Sequence, residues 1–338
     1  MKNKKVMSLV CSLVLAMAMV GCGAKEAAPA AEAAPAQAEE KVEEAAPAEE
    51  TEEVADETTE AEAPAGDVKV ALITMDSVDQ HWITLNDGAQ KAAEELGVEV
   101  TFMSPNTKDD AQQIESVNNA VAGGYNAIIV AANGPDAISS ALNEAIAQGI
   151  KIVYVDSPAN VEAEATFSTD NTAAGKTAGE EMIKALEAKG ITSGDIGIVN
   201  VNAATDSVVA RENGFRSAFE GTDFNLLETQ YCEGDAAKSQ AISENYITLG
   251  VVGIFGCNEG STTGAGNAIK AAGGEVIGVG FDKSDAILGL IDDGYLLATM
   301  AQNPDVMGYE GVKAAVAAVN GDSLGGAVTD TGVSVITK

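Results

Sequence analysis

Residues 68–97 read VKVALITMDSVDQHWITLNDGAQKAAEELG, and this stretch decides the fold. Its apolar, β-rich run at 68–74 predicts a strand. The second half predicts an amphipathic helix, because apolar side chains recur there at helical spacing. These side chains are Trp82, Leu85, Ala89, Ala92 and Leu96. The stretch therefore predicts a strand, an exposed loop over 76–82 and a helix.

The loop over 76–82 is the first candidate for a ligand contact. In an open α/β sheet, ligands bind beyond the carboxyl ends of the strands. His81 and Trp82, the chain's only histidine and only tryptophan, fall in this loop. Two interpretations stay open from these residues alone. Either Trp82 packs under the helix and His81 is solvated, or both contact a ligand.

The alternation of strand and helix continues to the end of the chain. Apolar strands are predicted at 98–103, 127–132, 151–157 and 165–170, and a second series, beginning at Ala173, at 195–201, 225–232, 251–257, 276–282, 296–302 and 332–337. Nearly continuous apolar strands separated by helices indicate parallel sheets covered on both faces. The predicted fold class is α/β, with two doubly wound parallel-sheet domains and a cleft between them.

Polar residues stand at the carboxyl ends of successive predicted strands. They are Asp156, Asn202, Asp206, Asn258, Glu259, Asp282 and Gln302, with Arg211 early in a following helix. Each one alone has the alternative of a helix cap or a solvated loop residue. Together, carboxylates, amides and an arginine offer the paired hydrogen bonds that adjacent hydroxyls need, and an aromatic face packs on the C–H side of a sugar. The ring of residues therefore suits a neutral polyol.

Six segments carry a family resemblance. They are Asp79-Gln80-His81-Trp82 before LNDGAQKAAEELG, VDS at 155–157, ARENGF at 210–215, GCNEG at 256–260, GVGFD at 278–282 and ATMAQNPDVMGYEGV at 298–312. Through them, residues 68–338 resemble the ribose/galactose-type periplasmic sugar-binding proteins, which have the type I substrate-binding fold. The resemblance implies an N-terminal domain of 68–171 and 303–331 and a C-terminal domain of 172–302 and 332–338. Three crossings between them would form a hinge that closes on the ligand.

The resemblance also implies a set of ligand-binding residues. They are Asp79, His81, Trp82, Asp156, Arg211, Asn258, Asp282 and Gln302. Two departures from the family pattern matter. Ser157 stands where ribose binders have a second arginine, and 232–235 lacks the aromatic residue that supplies the opposite stacking face. The sugar is therefore not fixed as ribose.

The N-terminal sequence predicts that the protein is exported from the cytoplasm. Lys2, Lys4 and Lys5 precede an apolar run at 6–20 that is short for a membrane span and ends at Val20-Gly21-Cys22. This arrangement resembles the lipobox of bacterial lipoproteins, which implies removal of the signal peptide 1–21 and a lipid on Cys22. The alternative is an uncleaved apolar anchor. In either case the rest of the chain is extracytoplasmic and attached to the cell membrane.

Residues 22–67 are predicted to be a disordered tether. Ala, Glu, Pro and Thr dominate this segment, and it contains no aromatic residue. Such a composition buries too little apolar surface to offset the cost of chain ordering, and its acidic side chains repel one another. We expect no ligand-binding role for the tether.

The net charge and the cysteine content limit the kinds of ligand and partner that the sequence allows. A formal net charge of −33 argues against nucleic-acid phosphates. Cys232 and Cys257 are the cysteines of the predicted folded part, and the sequence leaves open whether they form a disulfide. No zinc-ligand spacing occurs, so neither a metal nor a cofactor is predicted.

The leading functional hypothesis is a monomeric, lipid-anchored solute-binding protein that delivers a monosaccharide to the permease of an ABC importer. The alternative is a sensing module that reports a sugar, nucleoside or signal molecule to a membrane receptor. An enzyme is not favoured, because His81 has no evident triad partner and the chain lacks GxSxG and P-loop motifs.

Overall fold

The computed structural model describes residues 68–338. The predictions of a signal peptide at 1–21, a lipid on Cys22 and a tether at 22–67 lie outside the described residues. No helix in the described range is long and apolar enough to cross a membrane.

The first series of elements runs from Lys69 to Ser168. It consists of β1 (Lys69–Ile73), α1 (Gln80–Leu96), β2 (Glu99–Phe102), α2 (Asp110–Ala122), β3 (Ala127–Val130), α3 (Ser139–Ala147), β4 (Lys151–Val155) and β5 (Ala165–Ser168).

The second series again alternates helices and strands. Its members are α4 (Asn171–Ala188), β6 (Ser193–Asn200), α5 (Asp206–Ala218), β7 (Asp223–Leu226), β8 (Gln230–Tyr231), α6 (Ala236–Leu249), β9 (Gly253–Gly256), α7 (Glu259–Ala271), β10 (Ile277–Phe281), α8 (Asp285–Asp293), β11 (Ala298–Gln302), α9 (Pro304–Val319), β12 (Ala327–Asp330) and β13 (Val333–Thr337). Near its end, β12 returns to the sheet of the first series, and the last strand, β13, rejoins the second sheet.

The strands form two sheets with matching order. Sheet 1 runs β12-β5-β4-β3-β1-β2, and sheet 2 runs β13-β11-β10-β9-β6-β7 with β8 beside β6. All pairings in the described chain are parallel except that of β13 with β11, which is antiparallel. We call sheet 1 with α1, α2, α3 and α9 the first lobe, and sheet 2 with α4 to α8 the second lobe. The predicted α/β fold class with two parallel sheets is confirmed.

The central strands of sheet 1, β1, β3 and β4, are almost entirely apolar because helices cover both faces of the sheet. In β1, Val70 and Leu72 belong to a core shared with α1 and α9, whereas Ala71 and Ile73 belong to a second core on the opposite face, shared with α2 and α3. Successive side chains of a strand point to opposite faces, so a doubly covered strand needs apolar residues at every position.

Four local expectations differ from the structure. The helix α1 starts at Gln80, so His81 and Trp82 lie in its first turn and not in the loop. The loop ends early because the Asp76 carboxylate accepts hydrogen bonds from the backbone N–H groups of Val78 and Asp79, which forms a tight turn.

The other three differences concern strands. The predicted strand at 225–232 divides into β7 and β8, because Thr229 leaves the sheet to bond with Glu212 and Arg216 of α5. The strand β12 was not predicted, since it has only four residues, all exposed, and too few apolar side chains to give a strand pattern. The last strand, β13, was predicted as part of a parallel sheet but runs antiparallel.

The chain crosses between the sheets after β5, after β11 and after β12, and hydrogen bonds join these crossings. The Thr169 hydroxyl donates to the Gln302 amide oxygen at 2.9 Å. The backbone N–H of Thr331 donates to the Ser168 carbonyl at 2.7 Å, and the Asn303 side chain donates to the Thr331 carbonyl at 2.8 Å. The three crossings therefore form one connected strip.

Two glycines allow α1 and α9 to pack backbone to backbone. A Cβ atom on Gly88 would lie 2.0 Å from the Asp305 carbonyl oxygen, and a Cβ on Gly308 would lie 1.9 Å from the Leu85 carbonyl oxygen. Both distances are far inside contact range, so this approach requires the absence of a side chain at each site. The close pairing fixes the position of α1, which carries His81 and Trp82.

We predict that Gly308→Ala lowers the free energy of unfolding by about 1–3 kcal/mol, because the added methyl group forces α9 away from α1. Gly289→Ala is the matched control: Gly289 is also helical, but nothing lies within 4 Å of its added Cβ. The control should be neutral or more stable by about 0.5–1 kcal/mol. Urea denaturation measures both, and equal stability of the two variants would contradict the packing argument.

Candidate functional site

Side chains from both lobes meet around one small buried cavity of about 20 Å³. All eight predicted ligand-binding residues line it: Asp79, His81, Trp82, Asp156, Arg211, Asn258, Asp282 and Gln302. They come from α1 and the end of β4 in the first lobe, and from α5 and the ends of β9, β10 and β11 in the second. The structure thus brings the predicted residues together, while their role in binding stays a prediction.

His81 lies at the centre of the site between two carboxylates. Its Nε2 atom is 3.1 Å from Oδ2 of Asp156, and its Nδ1 atom is 3.5 Å from Oδ1 of Asp282. Burial lowers the pKa of His81, but Asp282 and Asp156 together raise that pKa above its ordinary value. The raised pKa favours the imidazolium form, and the His81 side chain contacts one buried aspartate of each lobe. The expectation of a solvated His81 is not met, since the residue is 8% exposed.

Asp156 and Asp282 occupy equivalent places in the two sheets. Each directly follows its strand, β4 or β10, and each has a positive φ, 60° for Asp156 and 76° for Asp282. Each backbone N–H donates to the neighbouring strand, to Phe167 at 2.9 Å and to Met300 at 3.0 Å. A left-handed conformation is rare for a residue other than glycine and costs free energy, so the surrounding hydrogen bonds must hold it. This conformation turns both carboxylates toward His81.

Asp156 is ionised in this setting. Burial raises the pKa of Asp156, but the hydrogen bond and charge of His81 and the charge of Arg211 lower it further, to below its ordinary value. The Arg211 Nη2 atom lies 3.6 Å from Oδ2 of Asp156. Two cationic groups therefore balance the buried aspartates.

Arg211 is fixed by the second lobe. Its Nε donates to Asn171 at 2.8 Å, its Nη1 donates to the Cys257 carbonyl at 3.1 Å, and its guanidinium lies 4.4 Å from the centre of the Phe281 ring. Its buried Nη2 has no hydrogen-bond partner in the described chain. The guanidinium group is planar and rigid, so its Nη2 remains as a hydrogen-bond donor at the cavity.

Two amide side chains complete the second-lobe side of the site. The Gln302 side chain donates to Oδ1 of Asp282 at 2.6 Å, in addition to accepting from Thr169. The Asn258 side-chain oxygen Oδ1 caps α7 by accepting from the backbone N–H of Ser261 at 3.0 Å. The capping interpretation of Asn258 therefore describes its side-chain oxygen. Its amide nitrogen makes no hydrogen bond in the described chain, and a ligand contact of Asn258 stays a prediction.

Trp82 combines packing with a face on the cavity. Its ring is 4% exposed and belongs to the first-lobe core that contains Met75 and Leu85. Its Nε1 donates to Asp76 at 3.2 Å, and His81 packs edge-on with a centroid distance of 4.6 Å. The indole is therefore held rigidly where it borders the cavity.

Sequence reasoning missed Asp76 and Lys108. The Lys108 ammonium bonds to Asp76 and to Asp79, the latter at 2.7 Å. Burial raises the pKa of Asp79, an effect that Lys108 opposes and Asp76 reinforces. Their positions in the sequence could have identified them, because Lys108 follows the carboxyl end of β2 and Asp76 follows the carboxyl end of β1.

The site offers binding groups and no assembled nucleophile. The structure gives His81 two carboxylate partners, Asp156 and Asp282. Both imidazole nitrogens face carboxylates, so neither is directed at a hydroxyl or thiol. In the range 68–338, no group of three or more His, Cys, Asp or Glu side chains is placed to hold a metal ion.

The cysteine question left open by the sequence has a clear structural answer. Cys232 and Cys257 are both buried free thiols. Burial raises the pKa of Cys232 to about 11 and raises that of Cys257 well above the ordinary value. Both side chains therefore act as apolar packing groups.

Comparison with known proteins points to one group. The sequence pattern of the periplasmic binding protein domain matches residues 70–323. The ribose import binding protein RbsB of Haemophilus influenzae is 28% identical over 260 residues, which cover 76% of this chain and 87% of that protein.

Solved structures of solute-binding proteins are also similar to this chain. A carbohydrate transporter solute binding protein from Agrobacterium radiobacter, in complex with D-arabinose, matches with a TM-score of 0.78 and 30% identity, covering 81% of this chain and 96% of that one. An ABC transporter solute binding protein from Agrobacterium vitis with bound D-fucose matches with a TM-score of 0.75 and 30% identity, covering 80% and 95%.

We predict that the contribution of His81 to stability falls as pH rises. Its pKa is higher in the folded protein than the unfolded value of about 6.5, so the attraction to Asp156 and Asp282 is complete below that value and is lost as pH rises through the folded pKa. The comparison is wild type against His81→Gln, which keeps a polar side chain without the charge. Each unit of raised pKa corresponds to about 1.4 kcal/mol.

Urea denaturation at pH 6, 7.5 and 9 measures the difference in the free energy of unfolding between the two proteins. Groups that do not interact with His81 cancel in this difference, which should be largest at pH 6. A difference that stays constant or grows with pH would contradict the proposed imidazolium.

Proposed function

The chain belongs to the periplasmic binding protein domain family, and on that premise we propose that it captures a monosaccharide for an ABC importer. The importer role follows from relatives that are sugar-binding transport proteins. These relatives are not enzymes. The protein would hold the sugar between its two lobes and deliver it to the permease, acting as a monomer outside the cytoplasm.

One observation carries the proposal: polar groups from both lobes converge on the same buried point. Asp156 and Asp282 supply acceptors, Arg211 and Asn258 supply donors, and Trp82 supplies an apolar face. Carboxylates and a guanidinium can each bond two neighbouring hydroxyls, which is the pattern of a pyranose or furanose ring. Because the groups belong to both lobes, a bound sugar would hold the lobes together.

We propose that each lobe is a domain, with the boundaries 68–171 and 303–331 for the first and 172–302 and 332–338 for the second. The strip of hydrogen-bonded crossings would act as the hinge. Sugar would enter when the lobes separate, and binding would shift the population toward the closed form.

The test of the function is a calorimetric panel of D-ribose, D-arabinose, D-fucose and other pentoses and hexoses. We predict that at least one sugar binds and that Asp282→Asn weakens the binding at least tenfold. The substitution removes a charged acceptor and leaves the His81 imidazolium with one counterion fewer. Asp292→Asn is the control, because Asp292 is an exposed aspartate on α8.

A panel without a single binder would overturn the proposed function. Binding that Asp282→Asn leaves unchanged would move the sugar away from this cavity. Turnover of a sugar by the purified protein would replace a binding role with an enzymatic one.

We propose further that Cys22 carries the membrane anchor. The basic residues, the apolar run at 6–20 and the small residue before Cys22 support this. The acidic segment 22–67 would then act as a tether between the lipid and the lobes.

We predict that Cys22→Ala releases the protein from the membrane fraction, because the mutant has no sulfur to acylate. Fractionation followed by mass spectrometry of the N-terminal peptide checks this, with Cys257→Ala as a control that leaves Cys22 in place. An unlipidated Cys22 in wild-type protein that still sediments with membranes would favour the uncleaved anchor.

A further inference from the structure

The first turn of α1 is capped from the opposite lobe. Asp79 occupies the N-cap position but makes no cap hydrogen bond, because its carboxylate faces Lys108. The backbone N–H groups of Gln80 and His81 donate instead to the two carboxylate oxygens of Glu259, at 3.1 and 3.0 Å. Glu259 begins α7 in the second lobe. One carboxylate therefore completes the N-terminus of the helix that carries His81 and Trp82.

The first turn of α5 shows the reciprocal arrangement. Its N-cap, Thr205, makes no cap hydrogen bond, because the Thr205 hydroxyl donates to the Asn133 carbonyl in the first lobe. The backbone N–H of Ser207 donates to the Ser157 hydroxyl at 3.2 Å. Ser157 directly follows Asp156 at the end of β4. A first-lobe side chain thus completes the helix that carries Arg211.

We infer that Glu259 and Ser157 are closure residues, each capping a ligand-bearing helix of the opposite lobe so that the closed form holds the sugar tightly. The inference rests on the proposed function and adds to it, because neither residue is among those that line the cavity in the described chain. They are positioning residues that act through α1 and α5.

The chemistry of the two residues fits this role. The first N–H groups of a helix lack partners within the helix, and the positive end of the helix dipole favours an anion. Glu259 meets both needs of α1. With the lobes apart, water would serve these N–H groups, so each cap matters only when closure excludes water.

The surroundings of Glu259 determine which substitution is informative. Burial, followed by the charges of Asp79 and Asp282, raises the pKa of Glu259 to about 7. Glutamine is neutral, has the same shape and keeps one acceptor oxygen. Comparison of Glu259→Gln with Glu259→Ala therefore isolates the capping acceptor from the charge.

Ser157 explains one departure from the family pattern. Where ribose binders are expected to place an arginine in contact with the sugar, this chain has a short hydroxyl that reaches the N-terminus of α5 instead. A cap thus stands where the resemblance implied a ligand contact.

Hydrogen exchange of the Gln80, His81 and Ser207 amides tests the inference without any ligand, in wild type, Glu259→Ala, Glu259→Gln and Ser157→Ala. We expect Glu259→Ala to speed exchange at Ser207 as well as at its own partners, because loss of one cap favours opening of both. Ser157→Ala should likewise speed exchange at Gln80 and His81. Glu275→Ala and Ser193→Ala, at exposed positions of the second lobe, should change none of the three.

The outcomes separate closure from local capping. Faster exchange confined to each variant's own partner would overturn the inference, as would amides that are unprotected in the wild type both with and without sugar. With the best sugar of the panel, Glu259→Ala should bind about tenfold (about 1.4 kcal/mol) more weakly than Glu259→Gln. Equal affinities of the two variants would also overturn the inference. If no sugar binds the wild type, the proposed function is overturned, and the hydrogen-exchange result alone then tests the role of the two caps.

Discussion

The contact on which the rest of the site depends is the His81 imidazole between Asp156 and Asp282. Two carboxylates buried in one small space repel each other, and burial penalises each charge. His81, with a raised pKa, supplies the opposite charge at 3.1 and 3.5 Å, and Arg211 adds a second cation. Because the two aspartates belong to different lobes, the same contact that resolves the electrostatic cost also joins the lobes.

The fold provides this contact by using one plan twice. The two sheets have the same strand order, and β4 and β10, which occupy the same place in that order, are each followed by an aspartate with positive φ. The carboxyl ends of the two sheets face each other, so the twin aspartates meet. The reciprocal caps from Glu259 and Ser157 follow the same logic, since the N-terminus of a helix after the first strand of each sheet also reaches this edge. Antiparallel β13 is where the repetition breaks.

The sequence predicted the residues that line the cavity better than it predicted the residues that hold them in place. The end of a strand can be recognised in the sequence as an apolar run that stops at a polar residue. This pattern, together with the family resemblance, identified eight of the thirteen residues that line the cavity, among them Asp156 and Asp282. The resemblance itself is confirmed. Sequence reasoning did not identify Lys108, because this residue lies several residues beyond β2 and the path of the loop determines where its side chain lies. Glu259 was noted at a strand end, but its partners are two backbone N–H groups of the other lobe, which no local pattern reveals.

The closed site already satisfies most of its own polar groups, and this sets the terms for any ligand. A cavity of about 20 Å³ has room for about one water molecule. A sugar bound here would therefore have to replace contacts such as those of His81 with the two aspartates, while Arg211 Nη2, which lies 3.6 Å from Oδ2 of Asp156, has no hydrogen bond to lose. Affinity is then the difference between sugar contacts and internal contacts of similar chemistry. Hydroxyl arrangements that reproduce the spacing of the internal partners, and reach Arg211 as well, are the ones that such a site would favour.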